Sequence, residues 1–387
     1  MSKTRLLIVD DENDICELIA DVAEARGFEV KMVTDPLAVD QALHEFKPDA
    51  LMLDLMMPGI DGVELLRNLG DAIQGKAVVL MSGHDSRVLN SAKRLGAAHG
   101  INVVATQEKP LDIDSLRATL DKLSQSHAAH EAQMAPVEGG LKESLVMLYY
   151  QPIVAFEGGR IKGLEALARY KSPQGTVVMP DQFLSQLDEA AMKEFTNQVM
   201  ALAVRDAAQL HKEGFPLAVS INMTISTLID LAVPDRLEQL CKQHGIAPEK
   251  INVEVTEGEA MREVRTVMDV LTRLRLRGFG LAIDDFGVGY SSLRELQRLP
   301  FGVMKMDKSF VLDMAENRDS QVIAHAIIEL GHSLSLKVVA EGIESARVWN
   351  LLRERKCDFA QGYFIAKPMP YADLLTWLRG NNGVFSP

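Results

Sequence analysis

Two sets of side chains in this sequence are of types that handle phosphate. The first comes early. Asp10 and Asp11 directly follow the apolar run Leu6–Val9, Asp54 closes the run that begins at Ala50, Ser82 follows Ala77–Met81, and Lys109 lies just past Asn102–Ala105. Three carboxylates brought together repel one another unless a hard cation sits between them, and ligation by oxygen alone suits Mg²⁺. One Mg²⁺ there would neutralise a phosphodonor and let the Asp54 carboxylate attack phosphorus, with Ser82 and Lys109 holding the new phosphoryl oxygens. Each residue alone has a plainer use: aspartates after strands cap helices, Ser-Gly turns, and Lys-Pro opens loops. In this order and spacing they point to a phosphoacceptor site.

The second set is spread over the remaining two-thirds of the chain. Gln151, Glu165, Asn222, Glu254, Asp284 (with Asp285 beside it), Lys305, Glu341 and Gln361 each close or follow an apolar run. Individually they read as strand-end ion pairs, turn residues, helix caps or a lysine snorkelling to water. Aimed at one cavity, four carboxylates cannot all stay ionised without compensation, and one lysine is too little. Two divalent cations would be enough, with Asp284 bridging and Asp285 reaching the second ion. Paired ions suit in-line attack on a phosphodiester. Oxygen and amide ligands without His or Cys favour Mg²⁺ or Mn²⁺ over Zn²⁺. After the Asp-Asp pair, DDFGVGYSSL reads as a glycine-rich loop over the cavity that couples closure to catalysis.

The elements that must position these groups follow from the alternation of apolar runs with amphipathic stretches. In residues 1–122 this predicts a doubly wound parallel α/β sheet of (βα)5 type, with ligands at the carboxyl ends of its strands. Residues 123–143 lose periodicity, a linker with a helical start. From 144 to 380 eight runs, Val146–Tyr150, Gly163–Leu167, Ala218–Ile221, Ile251–Val255, Leu281–Ile283, Val303–Met306, Lys337–Ala340 and Phe359–Phe364, match a (β/α)8 TIM barrel whose strand ends converge on one mouth. No close sequence repeat accompanies the spacing, which sets a repeat array aside.

A chain of 387 residues exceeds what one core usually supports, in keeping with two domains. Its net charge of −13 argues against a nucleic-acid polymer as partner. Three scattered cysteines give neither a zinc spacing nor a disulfide framework, the N-terminal apolar run is too short for a signal peptide, and no stretch would span a membrane. A cytoplasmic protein is the expectation.

The motifs VDDE, LMLDLMMPGIDG, MSG and EKP resemble the receiver domain of two-component response regulators. The resemblance implies Asp54 as phosphoacceptor, Mg²⁺ among Asp10, Asp11 and Asp54, and a sensor histidine kinase or phosphotransfer protein as donor. It departs at Thr106, where the family carries Tyr or Phe as a phosphorylation switch. From residue 145 onward, YQPI, GLEALAR, SINMT, EVTE, DDFGVGYSS, LPFGVMKMD, VVAEGIE and AQGYFIAKPMP are similar to the EAL family of cyclic di-GMP phosphodiesterases. That resemblance implies a barrel with an antiparallel first strand and hydrolysis of cyclic di-GMP to linear pGpG. It assigns Glu165, Asn222, Glu254 and Asp284 to one metal, and Asp284, Asp285 and, through water, Glu341 to the other. Lys305 would orient or deprotonate the attacking water, and Gln361 would hold water or substrate. Gln151, Leu167 and Arg169 would contact the dinucleotide, Glu257 would anchor the Asp284–Ser292 loop, and Glu344 would support the metal shell. The family also implies a homodimer or higher homo-oligomer. Competing readings are a barrel that binds cyclic di-GMP or docks a protein without hydrolysis, and a metal-assisted enzyme of the enolase type.

Overall fold

The computed structural model describes residues 4–58, 62–69, 76–83, 101–133, 145–172, 175–184, 187–260, 264–288 and 293–387, with the isolated positions 73, 89, 92 and 96. The chain divides into two compact units, Met1–Ala135 and Pro136–Pro387.

In the first unit, β1 (Arg5–Val9), β2 (Glu29–Val33), β3 (Ala50–Asp54), β4 (Ala77–Ser82) and β5 (Asn102–Glu108) form one sheet in the order β2-β1-β3-β4-β5. Every pairing is parallel. Because strand side chains alternate, the two faces carry separate cores. Leu7, Val9, Leu51, Leu53, Val78 and Leu80 pack on one side, and Leu6, Ile8, Met52, Val79 and Met81 on the other. Burial on both faces explains why β1, β3 and β4 read as unbroken apolar runs. Strand β2, absent from those runs, lies at the sheet edge with Glu29 exposed; its polar alternation hid it. Helix Ile113–Gln133 follows β5 and continues into the stretch expected to be linker, while residues 134–144 lie outside the described residues.

In the second unit, β6 (Val146–Ala155), β7 (Ile161–Lys171), a short β8 (Val177–Val178), β9 (Ala218–Asn222), β10 (Ile251–Thr256), β11 (Gly280–Phe286), β12 (Val303–Met306), β13 (Lys337–Ala340), β14 (Phe359–Ala360) and a short β15 (Met369–Pro370) make the sheet. It runs parallel from β7 through β9 to β14 and closes into a barrel through β6, which is antiparallel to both β14 and β7. Strands β8 and β15 are side branches on β7 and β6.

Two strand-end expectations change. Strand β7 continues past Glu165 to Lys171, and β6 runs the opposite way, so Gln151 and Glu165 face each other as a register pair within the hairpin. The run Phe359–Phe364 is extended only at Phe359–Ala360, leaving Gln361 on the turn that follows. Helices pack outside the barrel. In Glu189–Lys212, Phe195, Val199, Ala203, Val204, Ala207 and Leu210 are buried, and Asp188 caps the helix by accepting from Ala191 N–H at 2.8 Å. The last residues belong to this unit: Phe385 N–H donates to Gly159 O at 2.7 Å, and its ring meets Trp349 with centroids 5.4 Å apart.

Candidate active site

The barrel mouth is organised around one lysine. Lys305, on β12 and 1% exposed, places its Nζ 2.6 Å from Glu254, 2.7 Å from Glu341, 3.0 Å from Asp284 and 3.3 Å from Glu165. One ammonium against four carboxylates leaves a buried excess of negative charge. The titration of the acids reflects it. Burial, opposed by Lys305, pushes Glu254 up to about 7 and Glu341 well above its ordinary range, and raises Asp284. Burial and then the Asp284 charge push Asp285 up to about 6. Glu165 goes the other way: burial alone would raise it, but Lys305 and the hydrogen bonds from Gln361 and Asn222 hold it low. Lys305 is driven upward, its own desolvation outweighed by the carboxylates. Such a site gains by taking up cations or protons.

The carboxylates fall into two trios, Glu165–Glu254–Asp284 and Asp284–Asp285–Glu341, each offering oxygens within 4.8 Å of one another and both using Asp284. In a regular strand Asp284 and Asp285 would point to opposite faces. Here the ladder to β12 slips between Ile283 and Phe286, and Asp285 takes a left-handed φ of 53° while its N–H donates to Asp284 Oδ1 at 2.9 Å. The bulge cancels the alternation, so adjacent residues serve one cavity. The donor set, carboxylates without His or Cys and with a deficit of positive charge, fits hard divalent ions.

Around the trios, Asn222 donates its amide to Glu165 Oε1 at 2.9 Å, and Gln361 Nε2 donates to Glu165 Oε2 at 2.6 Å and to Gln151 Oε1 at 3.0 Å. Gln151 in turn donates to Ala366 O at 3.1 Å, while Gln361 Oε1 is buried with no hydrogen-bond partner. Arg169 is buried, donates to Ala168 O at 2.7 Å and lies 5.4 Å from the centre of the Tyr149 ring. Leu167 lines an apolar pocket next to Asn222. Glu257 stands apart from the trios; its Oε2 accepts Gly287 N–H at 2.9 Å and so ties down the start of the Asp284–Ser292 loop, whose residues 289–292 lie outside the described residues. Glu344 is exposed and joins neither trio.

The first unit has the same logic on a smaller scale. Lys109 Nζ lies 2.9 Å from Asp10, 3.1 Å from Asp54 and 3.1 Å from Glu12. Asp10, Asp11 and Asp54 form a third trio within 4.8 Å. Burial raises Asp10 and Asp54 despite the lysine, and buried oxygens of Asp11 and Asp54 have no hydrogen-bond partner. A cation between them answers both facts. Ser82 is buried at the end of β4, the strand paired with β3, and its carbonyl accepts Lys109 N–H at 2.9 Å.

A family model described as "EAL domain" matches residues 135–368, well over half of the chain. The chain belongs to the EAL family. A second model, "Response regulator receiver domain", matches residues 6–121 ahead of the EAL barrel. Among similar proteins, the cyclic di-GMP phosphodiesterase RocR of Pseudomonas aeruginosa is 30% identical over 342 residues, covering 86% of this chain and 87% of RocR. The cyclic di-GMP phosphodiesterase NbdA of the same organism is 37% identical over 255 residues, 65% of this chain but 33% of NbdA, so this chain spans only a third of that relative. A solved PaMucR phosphodiesterase in complex with c-di-GMP has a TM-score of 0.59 and 31% identity, over 63% of this chain and 99% of that one.

Two contacts near these sites escaped the sequence. Glu12 reaches Lys109 from an exposed position; its only signal was the third acid of VDDE. In the EAL barrel, Glu259 Oε1 accepts Ile225 N–H at 3.0 Å and its Oε2 accepts from Thr256 Oγ1 at 2.9 Å, tying the start of helix Ile225–Leu228 to the end of β10. Its signal was the Thr256-x-x-Glu259 pattern of a helix start.

Proposed function

We propose that this chain is a response regulator whose EAL barrel hydrolyses cyclic di-GMP to linear pGpG with two divalent ions, under the control of phosphorylation at Asp54. The observation that carries the reading is the pair of carboxylate trios sharing Asp284, short of positive charge although Lys305 lies among them. Glu165, Asn222, Glu254 and Asp284 would hold one Mg²⁺ or Mn²⁺, and Asp284, Asp285 and Glu341 the other. When bound, the ions would polarise the scissile phosphodiester and acidify a nucleophilic water.

The chain's own groups do the rest. Lys305 orients the attacking water and offsets charge growing on the phosphate oxygens. Gln361, whose amide N–H groups already go to Gln151 and Glu165, holds that water or a donor group of the substrate with its Oε1. Arg169 pairs with a phosphate, and Gln151 and Leu167 contact the dinucleotide. Glu257 positions the Asp284–Ser292 loop, and Glu344 acts from outside the trios. Water adds to phosphorus, the bond to one ribose O3′ breaks, and that oxygen leaves with a proton. In the receiver, Asp54 accepts a phosphoryl group from a histidine kinase or phosphotransfer protein; Asp10 and Asp11 would hold Mg²⁺ beside it, and Ser82 and Lys109 would bind the phosphoryl oxygens.

The test is chromatography of cyclic di-GMP incubated with the full chain and Mn²⁺ or Mg²⁺. Linear pGpG should form, vanish with EDTA, and be lost in Glu165→Ala. Bound but intact nucleotide, whether Asp54 is phosphorylated or not, would replace hydrolysis with ligand sensing.

A further inference from the structure

Gln361 stands on a turn, because β14 ends at Ala360. Its amide joins that turn to the β6–β7 hairpin, through Gln151 Oε1 and Glu165 Oε2. The turn is also locked to the segment that follows Glu341. Gln361 N–H donates to Ala340 O at 2.9 Å, Ile343 N–H to Gln361 O at 3.1 Å, and Phe364 N–H to Ile343 O at 2.9 Å. A Cβ on Gly362 would collide with the Ile343 backbone, so the approach is close.

A second link between the same turn and hairpin runs through one ring. Residues 383–385 lie along the start of β7: Ile161 N–H donates to Gly383 O at 3.0 Å, and Phe385 N–H donates to Gly159 O at 2.7 Å. Arg160 and Val384 form an antiparallel bridge between these bonds. Gly159 has a left-handed φ of 62°, and a Cβ there would meet Phe385 O. The backbone of Phe385 is thus held by the hairpin. Its ring stands edge-on to Phe364, on the Gln361 turn, with centroids 5.7 Å apart. Trp349 of helix Ala346–Glu354 backs both rings, 5.4 Å from Phe385 and 6.3 Å from Phe364. Edge-to-face contacts of this kind fix orientation as well as burying area.

The same two elements are therefore joined twice, once by the Gln361 amide and once by Phe385. We propose that Phe385 is a positioning residue for hydrolysis, holding the Gln361 turn against the β6–β7 hairpin so that Gln361 keeps both amide bonds and a fixed direction for its Oε1. The inference rests on the phosphodiesterase reading and adds to it a residue outside both carboxylate trios. Gln361 Oε1 is the atom being aimed; among the described residues it is buried with no hydrogen-bond partner. Misplacing such an acceptor slows the reaction even where the fold survives. If the ring only sealed the core, its loss would have nothing to do with Gln361.

The experiment is a double-mutant cycle on the full chain with Mn²⁺ and cyclic di-GMP, comparing wild type, Phe385→Ala, Gln361→Ala and the pair. Phe385→Ala should lower kcat by about fivefold to tenfold and leave KM within about twofold. Phe385→Tyr, which keeps the ring, should keep the rate. With Gln361 already removed, Phe385→Ala should cost less than about twofold, because what it positions is gone. Hydrogen exchange gives a readout apart from catalysis. In Phe385→Ala the Ile343 and Phe364 amides, which lock the turn, should exchange faster, while the amides of β10 should not. Losses that multiply in full across the two backgrounds, or turn amides that exchange at the wild-type rate, would leave Phe385 as core packing and overturn the proposal. Should Phe385→Ala not fold, Phe385→Leu runs the same cycle with most of the apolar volume kept. A wild type that turns over no cyclic di-GMP would remove the phosphodiesterase reading and this role with it, whereas the former results remove the role alone.

Discussion

At the scale of single residues, the tandem Asp284-Asp285 decides whether the mouth offers one carboxylate trio or two. Asp285 is the one trio member with a left-handed backbone, φ 53°, and only the second trio uses its carboxylate. Asparagine tolerates the left-handed region as aspartate does and keeps the side-chain shape. Asp285→Asn should therefore leave stability within about 0.5 kcal/mol while removing a charged ligand from one trio alone. Calorimetric titration with Mn²⁺ should show two ions bound per wild-type barrel and one tight ion in the variant. Two ions bound with unchanged affinity would mean that the second ion does not need Asp285. The bulge behind this prediction cannot be read from the letters DD, because it exists only as a slip of register against β12.

At the scale of elements, one acid joins two of the helices outside the barrel. Asp230 pairs with Lys193 of helix Glu189–Lys212 at 2.9 Å and with Arg236 of helix Val233–His244 at 3.1 Å, and it accepts Ala232 N–H at 3.0 Å. Lys193 first, then Ala232 N–H and Arg236, hold its carboxyl down at about 2, against 3.8 unperturbed. A folded-state value below the unfolded one means stability that is complete above about pH 4 and is lost as pH falls toward 2, on the order of 1 kcal/mol because the half-exposed Lys193 is screened by solvent. Asp230→Asn should lower barrel stability at pH 7 by about that much, and its deficit should shrink between pH 4.5 and 2.5. Urea titrations followed by tryptophan fluorescence read this unit alone, since Trp349 and Trp377 are the only tryptophans in the chain. Parallel stability curves over that range would dismiss the ion-pair account. Strands were legible where burial writes a continuous run, as in Ala50–Asp54 or Ala77–Ser82. They were not legible where only one face is covered, as in β2, or where a strand runs through its site residue, as β7 does at Glu165.

At the scale of the whole molecule, the sequence made the site composition plain because its ligands must be particular residues. The geometry was hidden because Lys305 could be placed among four acids only once the barrel had closed. Each unit has its own core, so each should respond separately to its own ligand. What joins them functionally is the proposed control by Asp54, and that can be tested without knowing its sign. In the receiver, Lys109 is shared between Asp10, Glu12 and Asp54. A phosphoryl group on Asp54 adds acceptor oxygens and charge that compete for this lysine. Thr106 offers no aromatic ring to report the change, so any signal must leave by another path, and helix Ile113–Gln133 is the element that follows the site in sequence. Acetyl phosphate should label the wild type and fail to label Asp54→Ala. In the same samples, the rate of cyclic di-GMP hydrolysis should change by at least about twofold on phosphorylation of the wild type and not at all in the variant, a coupling at the small end of the usual range. A wild type that is labelled in full and hydrolyses at an unchanged rate would separate the two units functionally and end the idea of a gate.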